Sequence, residues 1–301
     1  MGRSTTMSRR QMMKLSAGTL LAAGLWPGRL WAAEPGTTPV TFAVVNDLHY
    51  AEPACGPFFE GLVKRLNAVD GAAFVLLVGD LLDEGKAEQA RPLKEILGAL
   101  KMPYYSVPGN HDWATQTDRT AYRQVFGDKG NQLFEEAGWQ FVGLDTTEGV
   151  KFEKTNVQKP TLEYAAEVAG KLDKAKPTFL FTHFPMGAGV KYRPLNADAV
   201  LEPFKAVNVR AIFNGHYHAF TQKTLPAGKG DAIVTTNRCC SRKRANHDNT
   251  WQKGFFVVKA AGGGTFERMF VEYGTDYPGG AKPAGTRPAA RADVPASQPA
   301  F

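Results

Sequence analysis

Six histidines occur in this chain, His49, His111, His183, His216, His218 and His247. Four of them sit in short motifs with carboxylates, an amide or glycine: Asp47-Leu48-His49, Gly109-Asn110-His111-Asp112 and Gly215-His216-Tyr217-His218. Two further pieces, Gly79-Asp80-Leu81-Leu82-Asp83 and the lone His183, fall between them in order. Imidazole, carboxylate and amide oxygen are the ligands that suit divalent transition metals. Residues two apart on an extended strand share a side, so Asp47 and His49 can grip one ion, and His216 and His218 can reach in one direction. Two imidazoles one residue apart suit two neighbouring metals. The glycines before Asp80, Asn110 and His216 permit sharp turns and close backbone approach. Taken singly each motif is weak, since a G-D-x-x-D can merely cap a helix and a strand-end histidine is usually a hydrogen-bonded structural residue. Their combination carries the reading.

Such motifs need a scaffold that brings them together, and the apolar runs supply one. VTFAVV (40–45), AFVLLVG (73–79), YYSV (104–107), WQFVGL (139–144), TFLFT (178–182) and VRAIF (209–213) read as β-strands, with helical patterns near 57–70 and 86–100. Alternation of this kind predicts a largely parallel sheet covered by helices. Each of the five motifs comes after one of these runs, and ligands in open α/β sheets bind outside the carboxyl ends of the strands. All five therefore converge on one edge. Beyond residue 218 the helices stop, and AFTQKTL, DAIVTT, GFFVVKA and TFERMFVEY read as closely spaced strands suited to antiparallel pairing.

In this order the motifs resemble those of the calcineurin-like metallophosphoesterases, and the resemblance extends over residues 40–272. It implies an α/β fold, a four-layer α/β/β/α sandwich of two mixed sheets flanked by helices. It also implies two divalent metal ions. Asp47, His49, Asp80 and His218 would hold the first, and Asp80, Asn110, His183 and His216 the second, with Asp80 bridging. His111 would stabilise or protonate the leaving oxygen, with Asp112 orienting it. Two metals about 3.5–4 Å apart can bind a bridging hydroxide at neutral pH and clamp phosphate oxygens for in-line displacement. An imidazole by the leaving group supplies the general acid, and Asp83 or Asp112 could fix the tautomers of the ligating rings. The expected activity is hydrolysis of a small-molecule phosphate ester. A phosphodiesterase of the bacterial cyclic-nucleotide branch leads, with a phosphomonoesterase or pyrophosphohydrolase, or a non-catalytic binding module, as alternatives.

Departures narrow the family. Asp83 stands where purple acid phosphatases place a tyrosine ligand, and Glu84 and Asp112 replace the Arg and Glu of protein Ser/Thr phosphatases. His111 replaces the Arg of lipid A UDP-sugar hydrolases. DNA-repair exonucleases add a capping domain. The ligand set suits Mn, Fe, Zn, Co and Ni alike.

Charge says little about partners. The chain carries 36 basic and 29 acidic residues, a net +7. Residues 1–33 contain Arg3, Arg9, Arg10, Lys14 and Arg29 and no acid; setting those five aside leaves 31 basic against 29 acidic residues. No electrostatic case for a nucleic-acid partner remains. The same stretch reads as a signal peptide, with a basic start, an apolar stretch and a small-residue region near Ala32 and Ala33. Its apolar run is shorter than the ~20 residues of a membrane span. Ser8-Arg9-Arg10 resembles the twin-arginine export motif, with Met12 and Met13 where Phe and Leu are commonest. The expectation is a periplasmic or otherwise exported protein, with the twin-arginine machinery as a partner and no membrane span in the mature chain. Cys55 and the adjacent Cys239 and Cys240 do not make a disulfide framework. Residues 274–301, rich in Pro, Ala and Gly, read as a disordered tail. The segment 235–249 holds Arg238, Arg242, Lys243, Arg244 and His247. Arg242, Arg244 and His247 are candidate substrate contacts on a cleft wall, the alternative being a solvated hairpin loop.

Replacing Arg9 and Arg10 together by Lys is expected to retain the precursor in the cytoplasm, read by fractionation. Undiminished export of that variant would instead indicate the general secretory route.

Overall fold

The computed structural model describes residues 39–128, 130–224, 231–234 and 245–274. Residues 1–33, Arg242, Arg244, Cys239, Cys240 and all of the expected tail after Gly274 lie outside the described residues.

Eleven strands are described, and they form two mixed sheets. The first has the order β11-β10-β1-β2-β3, built from β1 (Val40–Val45), β2 (Ala72–Val78), β3 (Tyr104–Val107), β10 (Gly254–Ala260) and β11 (Phe266–Glu272). Here β1, β2 and β3 run parallel, and β10 and β11 extend the sheet antiparallel on the far side of β1. The second sheet has the order β4-β5-β6-β7-β9-β8. Its strands are β4 (Gln132–Glu136), β5 (Trp139–Leu144), β6 (Thr178–Thr182), β7 (Val209–Asn214), β8 (Thr221–Thr224) and β9 (Asp231–Val234). In it β5, β6, β7 and β9 are parallel, with β4 and β8 antiparallel at the edges.

Apolar side chains on both faces of the central strands explain the layering. On β1, Phe42 and Val44 join the core between the sheets, while Ala43 and Val45 join the core under the helices. On β2, Phe74, Leu76 and Val78 point one way and Val75 and Leu77 the other. Strands buried on both faces read as continuous apolar runs, as these do. The outer face of the first sheet is covered by α1 (Gly56–Leu66), α2 (Ala87–Leu97) and α3 (Thr120–Phe126). Helix α1 buries Phe59, Leu62, Val63 and Leu66, the spacing of a single helical face. The second sheet is covered by α4 (Lys159–Lys171) and α5 (Ala197–Leu201). The four-layer α/β/β/α sandwich expected from the sequence is the observed fold.

Aromatic rings fill the layer between the sheets. Phe42 of β1 stacks on Phe74 at 5.0 Å and meets Phe141 and Phe213 of the opposite sheet edge-on at 5.4 and 5.9 Å. Trp139 stacks on Phe179 at 4.4 Å. Such a layer holds the two sets of parallel strands in fixed relation, because close-packed interiors deform little.

The motif-bearing strands are divided between the two sheets, a division the apolar runs alone do not reveal. Continuous apolar runs carry no label for which sheet a strand joins. Strand β4 is an addition to the expected set, and the reason lies in its polar edge sequence QLFEE, of which no residue is fully buried. The closely spaced strands after residue 218 do pair antiparallel, β8 with β9 and β10 with β11, although β9 also joins β7 in parallel.

Candidate metal centre

Parallel strands β1, β2, β3, β6 and β7 all end at the same rim of the sandwich, and each leads into one of the histidine or carboxylate motifs. The strands stop before the motifs begin: β1 ends at Val45 and β7 at Asn214. Beyond these ends the backbone leaves the extended conformation. Asp47, His49, Asp80, His216 and His218 all have left-handed backbone, with φ of 55, 49, 52, 69 and 51°. A non-glycine residue there costs on the order of 1 kcal/mol or more, although Asp and His tolerate it better than most. Asp47 and His49 therefore converge through turns rather than through strand alternation. Backbone bonds tie the turns together, from Asp47 N–H to Gly79 O at 3.1 Å, His49 N–H to Asp80 O at 2.9 Å and Gly215 N–H to His183 O at 2.9 Å.

The side chains form two adjoining groups that share Asp80, beside a third, His49, Asp83 and His111, that shares His49. Asp47, His49, Asp80 and His218 offer ligand atoms within 4.8 Å of one another, and so do Asp80, His183 and His216. In the first group His218 Nε2 lies 3.0 Å from Asp47 Oδ1 and 3.2 Å from His49 Nε2. In the second, His183 Nε2 lies 3.3 Å from Asn110 Oδ1, 3.3 Å from Asp80 Oδ1 and 3.2 Å from His216 Nδ1. Asp80 belongs to both, its Oδ2 being 3.6 Å from His49 Nε2. His216 and His218 thus do not reach in one direction. They diverge, one into each group.

Outer hydrogen bonds decide which nitrogen each ring presents. His183 Nδ1–H donates to Val78 O at 3.1 Å, and His216 Nε2–H donates to Phe152 O at 2.7 Å. A nitrogen beside a carbonyl must carry a proton, so His183 Nε2 and His216 Nδ1 are the ring atoms left to face the group and, when unprotonated, to offer it a lone pair. His49 Nδ1 lies 3.3 Å from Asp83 Oδ1. Ring nitrogens and carboxylate oxygens gathered within 4.8 Å of one another, in buried surroundings, suit divalent cations.

Electrostatics within the site are strongly coupled. Burial opposes the charge of Asp80, yet His183, His111 and His49 outweigh it and hold the carboxyl well below its usual range. Burial also opposes a charged His183, but the Asp80 carboxylate outweighs it and pushes the imidazole up to about 9. His216 goes the other way, down to about 3, through burial and repulsion from His183. His111 is raised, because Asp80 and the Asp83 carbonyl outweigh its burial.

Glycines make the approach possible. A Cβ on Gly109 would stand 2.1 Å from Asp80 Oδ1, and one on Gly79 (φ 77°) would stand 2.3 Å from His183 Nδ1.

His111 sits beside the first group, its ring 4.6 Å from that of His49 and edge-on to it. Its Nδ1–H donates to Asp83 O at 2.7 Å and its backbone N–H to Asp80 Oδ1 at 2.9 Å. Asp112 does not orient it. The Asp112 carboxylate is fully buried and accepts N–H bonds from Leu82 at 2.9 Å and Gly109 at 2.7 Å. It clasps the G-N-H-D turn to the G-D-x-x-D turn, and adjacency in sequence sends it away from the neighbouring ring. Burial and the nearby Asp80 charge, partly offset by those two N–H bonds, push Asp112 up to about 7. His247 lies against the first group, its ring 5.6 Å from His218 and its N–H bonded to His218 O at 3.0 Å. Sequence reading passed over Phe152 and Val78, whose contribution is a backbone carbonyl and carries no side-chain signal.

Comparison with known proteins adds an independent line. A family model described as calcineurin-like phosphoesterase matches residues 40–220. A 3',5'-cyclic-nucleotide phosphodiesterase of Nostoc is 26% identical over 118 residues, covering 36% of this chain and 44% of the relative. A protein of Arcobacter nitrofigilis named "Probable glycerophosphodiester phosphodiesterase" is 25% identical over 122 residues, covering 39% of this chain and 44% of the relative. The chain thus matches less than half the length of each of these two relatives. Among solved structures, GAP50, the anchor in the inner membrane complex of Plasmodium, superposes with a TM-score of 0.53 at 14% identity, covering 78% of this chain and 84% of that one. That likeness concerns the fold alone.

Asp112→Asn leaves one carbonyl oxygen where two carboxylate oxygens each held an N–H. We expect a stability loss of about 1–3 kcal/mol in urea unfolding. Unchanged stability together with a shifted pH profile for His111 would restore an orienting role to Asp112.

Proposed function

The chain belongs to the calcineurin-like phosphoesterase family, and from that premise we propose that it is a dinuclear metal-dependent hydrolase of phosphate esters, acting on diesters. The observation that carries this reading is Asp80, whose two oxygens face two different ligand groups. Asp47, His49, Asp80 and His218 would hold one ion, and Asp80, Asn110, His183 and His216 the other. When bound, a pair of divalent ions supplies a water acidic enough to act at neutral pH and positive charge against the phosphate oxygens. The two named phosphodiesterases among the relatives support a diester substrate.

The chain's own residues supply the rest. His183 and His216 present one nitrogen each because carbonyls of Val78 and Phe152 hold the other. His111 is fixed through Nδ1 on Asp83 O, which leaves Nε2 to deliver a proton to the departing oxygen. Working against burial, Asp80 and the Asp83 carbonyl raise its basicity, the direction a proton donor needs. The twin-arginine pattern at Arg9 and Arg10 supports an exported enzyme that folds, and takes up metal, before export.

The test is hydrolysis of mono- and diester substrates by protein reloaded with Mn, Fe, Zn, Co or Ni. Asp80→Ala is expected to lose both ions and all activity. His111→Ala is expected to keep its metal and lose roughly two to four orders of magnitude in rate, less for good leaving groups. A fully metallated and active Asp80→Ala protein would contradict the assignment.

A further inference from the structure

Strand β5 also runs to the rim, where Leu144 lies opposite Thr182 of β6, yet Asp145 beyond it joins none of the ligand groups. The segment 145–152 instead holds the residues around them. Thr146 Oγ1 accepts the Phe184 N–H at 3.0 Å, next to His183, and Phe152 O accepts from the His216 ring at 2.7 Å. On the other side Gln116 Nε2 donates to Glu148 O at 3.0 Å. A Cβ on Gly149, whose φ is 58°, would stand 2.3 Å from Gln116 O. The segment thus lies against the chain that follows His111 as well as the chain that carries His183 and His216.

Its firmest point is Thr147, which is buried. The Thr147 hydroxyl donates to Asp145 Oδ1 at 2.6 Å and accepts the Trp113 indole N–H at 3.0 Å. Asp145 Oδ2 accepts a bond from Arg119, whose guanidinium lies 4.8 Å over the Trp113 ring. Arg119 is only 5% exposed, and a buried charge must be paired, so this cation draws Asp145 and Trp113 together. Trp113 is two residues from His111, and its N–H closes the turn on Asn110 O at 3.4 Å. Gly85, with φ 63°, packs on the same backbone: a Cβ there would stand 2.3 Å from the Trp113 carbonyl carbon. Two residues before Gly85 comes Asp83, whose carbonyl accepts the His111 Nδ1–H at 2.7 Å. Thr147, Trp113, segment 83–85 and the His111 ring therefore form one chain of contacts.

We propose that Thr147 is a positioning residue for His111, acting through the Trp113 indole and segment 83–85 to aim the ring at the departing oxygen. The inference rests on the proposed function for the task it gives His111. Thr147 touches neither ligand group, so removing its hydroxyl leaves the metal ligands in place and loosens the anchor of the ring. A displaced proton donor costs rate in proportion to the leaving group's need for a proton. The contribution of Thr147 must therefore vary with the leaving group and vanish when His111 is absent.

The test is a double-mutant cycle in metal-loaded protein, with Thr147→Val, Trp113→Phe and Thr147→Ser each made alone and on His111→Ala. Thr147→Val and Trp113→Phe should lower kcat about tenfold for diesters with poor leaving groups and less than about threefold for good ones, with KM and metal content unchanged. Thr147→Ser keeps the hydroxyl and should keep the rate. On His111→Ala none should cost more than about twofold. Equal losses in both backgrounds or for all leaving groups, or an undiminished rate in Thr147→Val, would overturn the proposal. Proton exchange supplies a readout without turnover. In 15N-labelled protein the His111 Nδ1 proton, identified by its loss in His111→Ala, should exchange with water about tenfold faster in Thr147→Val and Trp113→Phe, and at the native rate in Thr147→Ser. Those exchange rates in a protein that hydrolyses no ester would sink the proposed function and leave the positioning role standing. Hydrolysis with unaltered exchange would do the reverse.

Discussion

A buried carboxylate shared by imidazoles on both sides is the constraint on which the rest of this structure depends. Asp80 is 1% exposed, and an uncompensated charge in such a place costs several kcal/mol. His49, His111 and His183 supply the compensation, and the His111 backbone N–H adds a direct bond to Oδ1. A proton on His183 puts positive charge against Asp80 where a cation would put it. Ligand and ion-pair partner are therefore the same atoms, and uptake of metal must release protons, since a ligating imidazole is neutral.

Placing five chain segments around one carboxylate demands unusual backbone. Left-handed conformations at Asp47, His49, Asp80, His216 and His218 turn three of those segments inward, and the surrounding hydrogen bonds keep them there. The Asp112 clasp on Leu82 and Gly109 serves the same purpose between two of the turns. Beneath them, rings such as Phe42, Phe74, Trp139 and Phe179 pack the two sheets into one rigid body. A site made of strand ends from both sheets depends on that layer, because sub-ångström placement of ligands comes from packed supports rather than from loops alone.

Much of this was legible in residue types. The motifs around Asp47, Asp80, Asn110, His183 and His216 named side chains that the structure gathers at one rim, and the runs before them named most of the strands that carry them. Gly79 and Gly109 marked close approaches that the structure contains. Other parts had no signature. A polar edge strand such as β4 lacks the apolar period that would reveal it, and strands apolar on both faces do not say which of two sheets they enter. The spacing of His216 and His218 suggested a common direction, whereas left-handed backbone at both separates them. The resemblance made Asp112 a partner for His111, whereas the three-dimensional claim on its oxygens comes from backbone N–H groups, that of Leu82 remote in sequence. The roles of Phe152 and Val78 as carbonyl acceptors are invisible to any reading of side chains.

The central claim is that Asp80 joins two ligand groups into one two-metal centre. Anomalous diffraction from crystals of manganese-loaded protein tests it most directly. The account predicts two peaks about 3.5–4 Å apart, on either side of the Asp80 carboxylate, one beside Asp47, His49 and His218 and the other beside Asn110, His183 and His216. A single ion, or two ions that do not share Asp80, would contradict it.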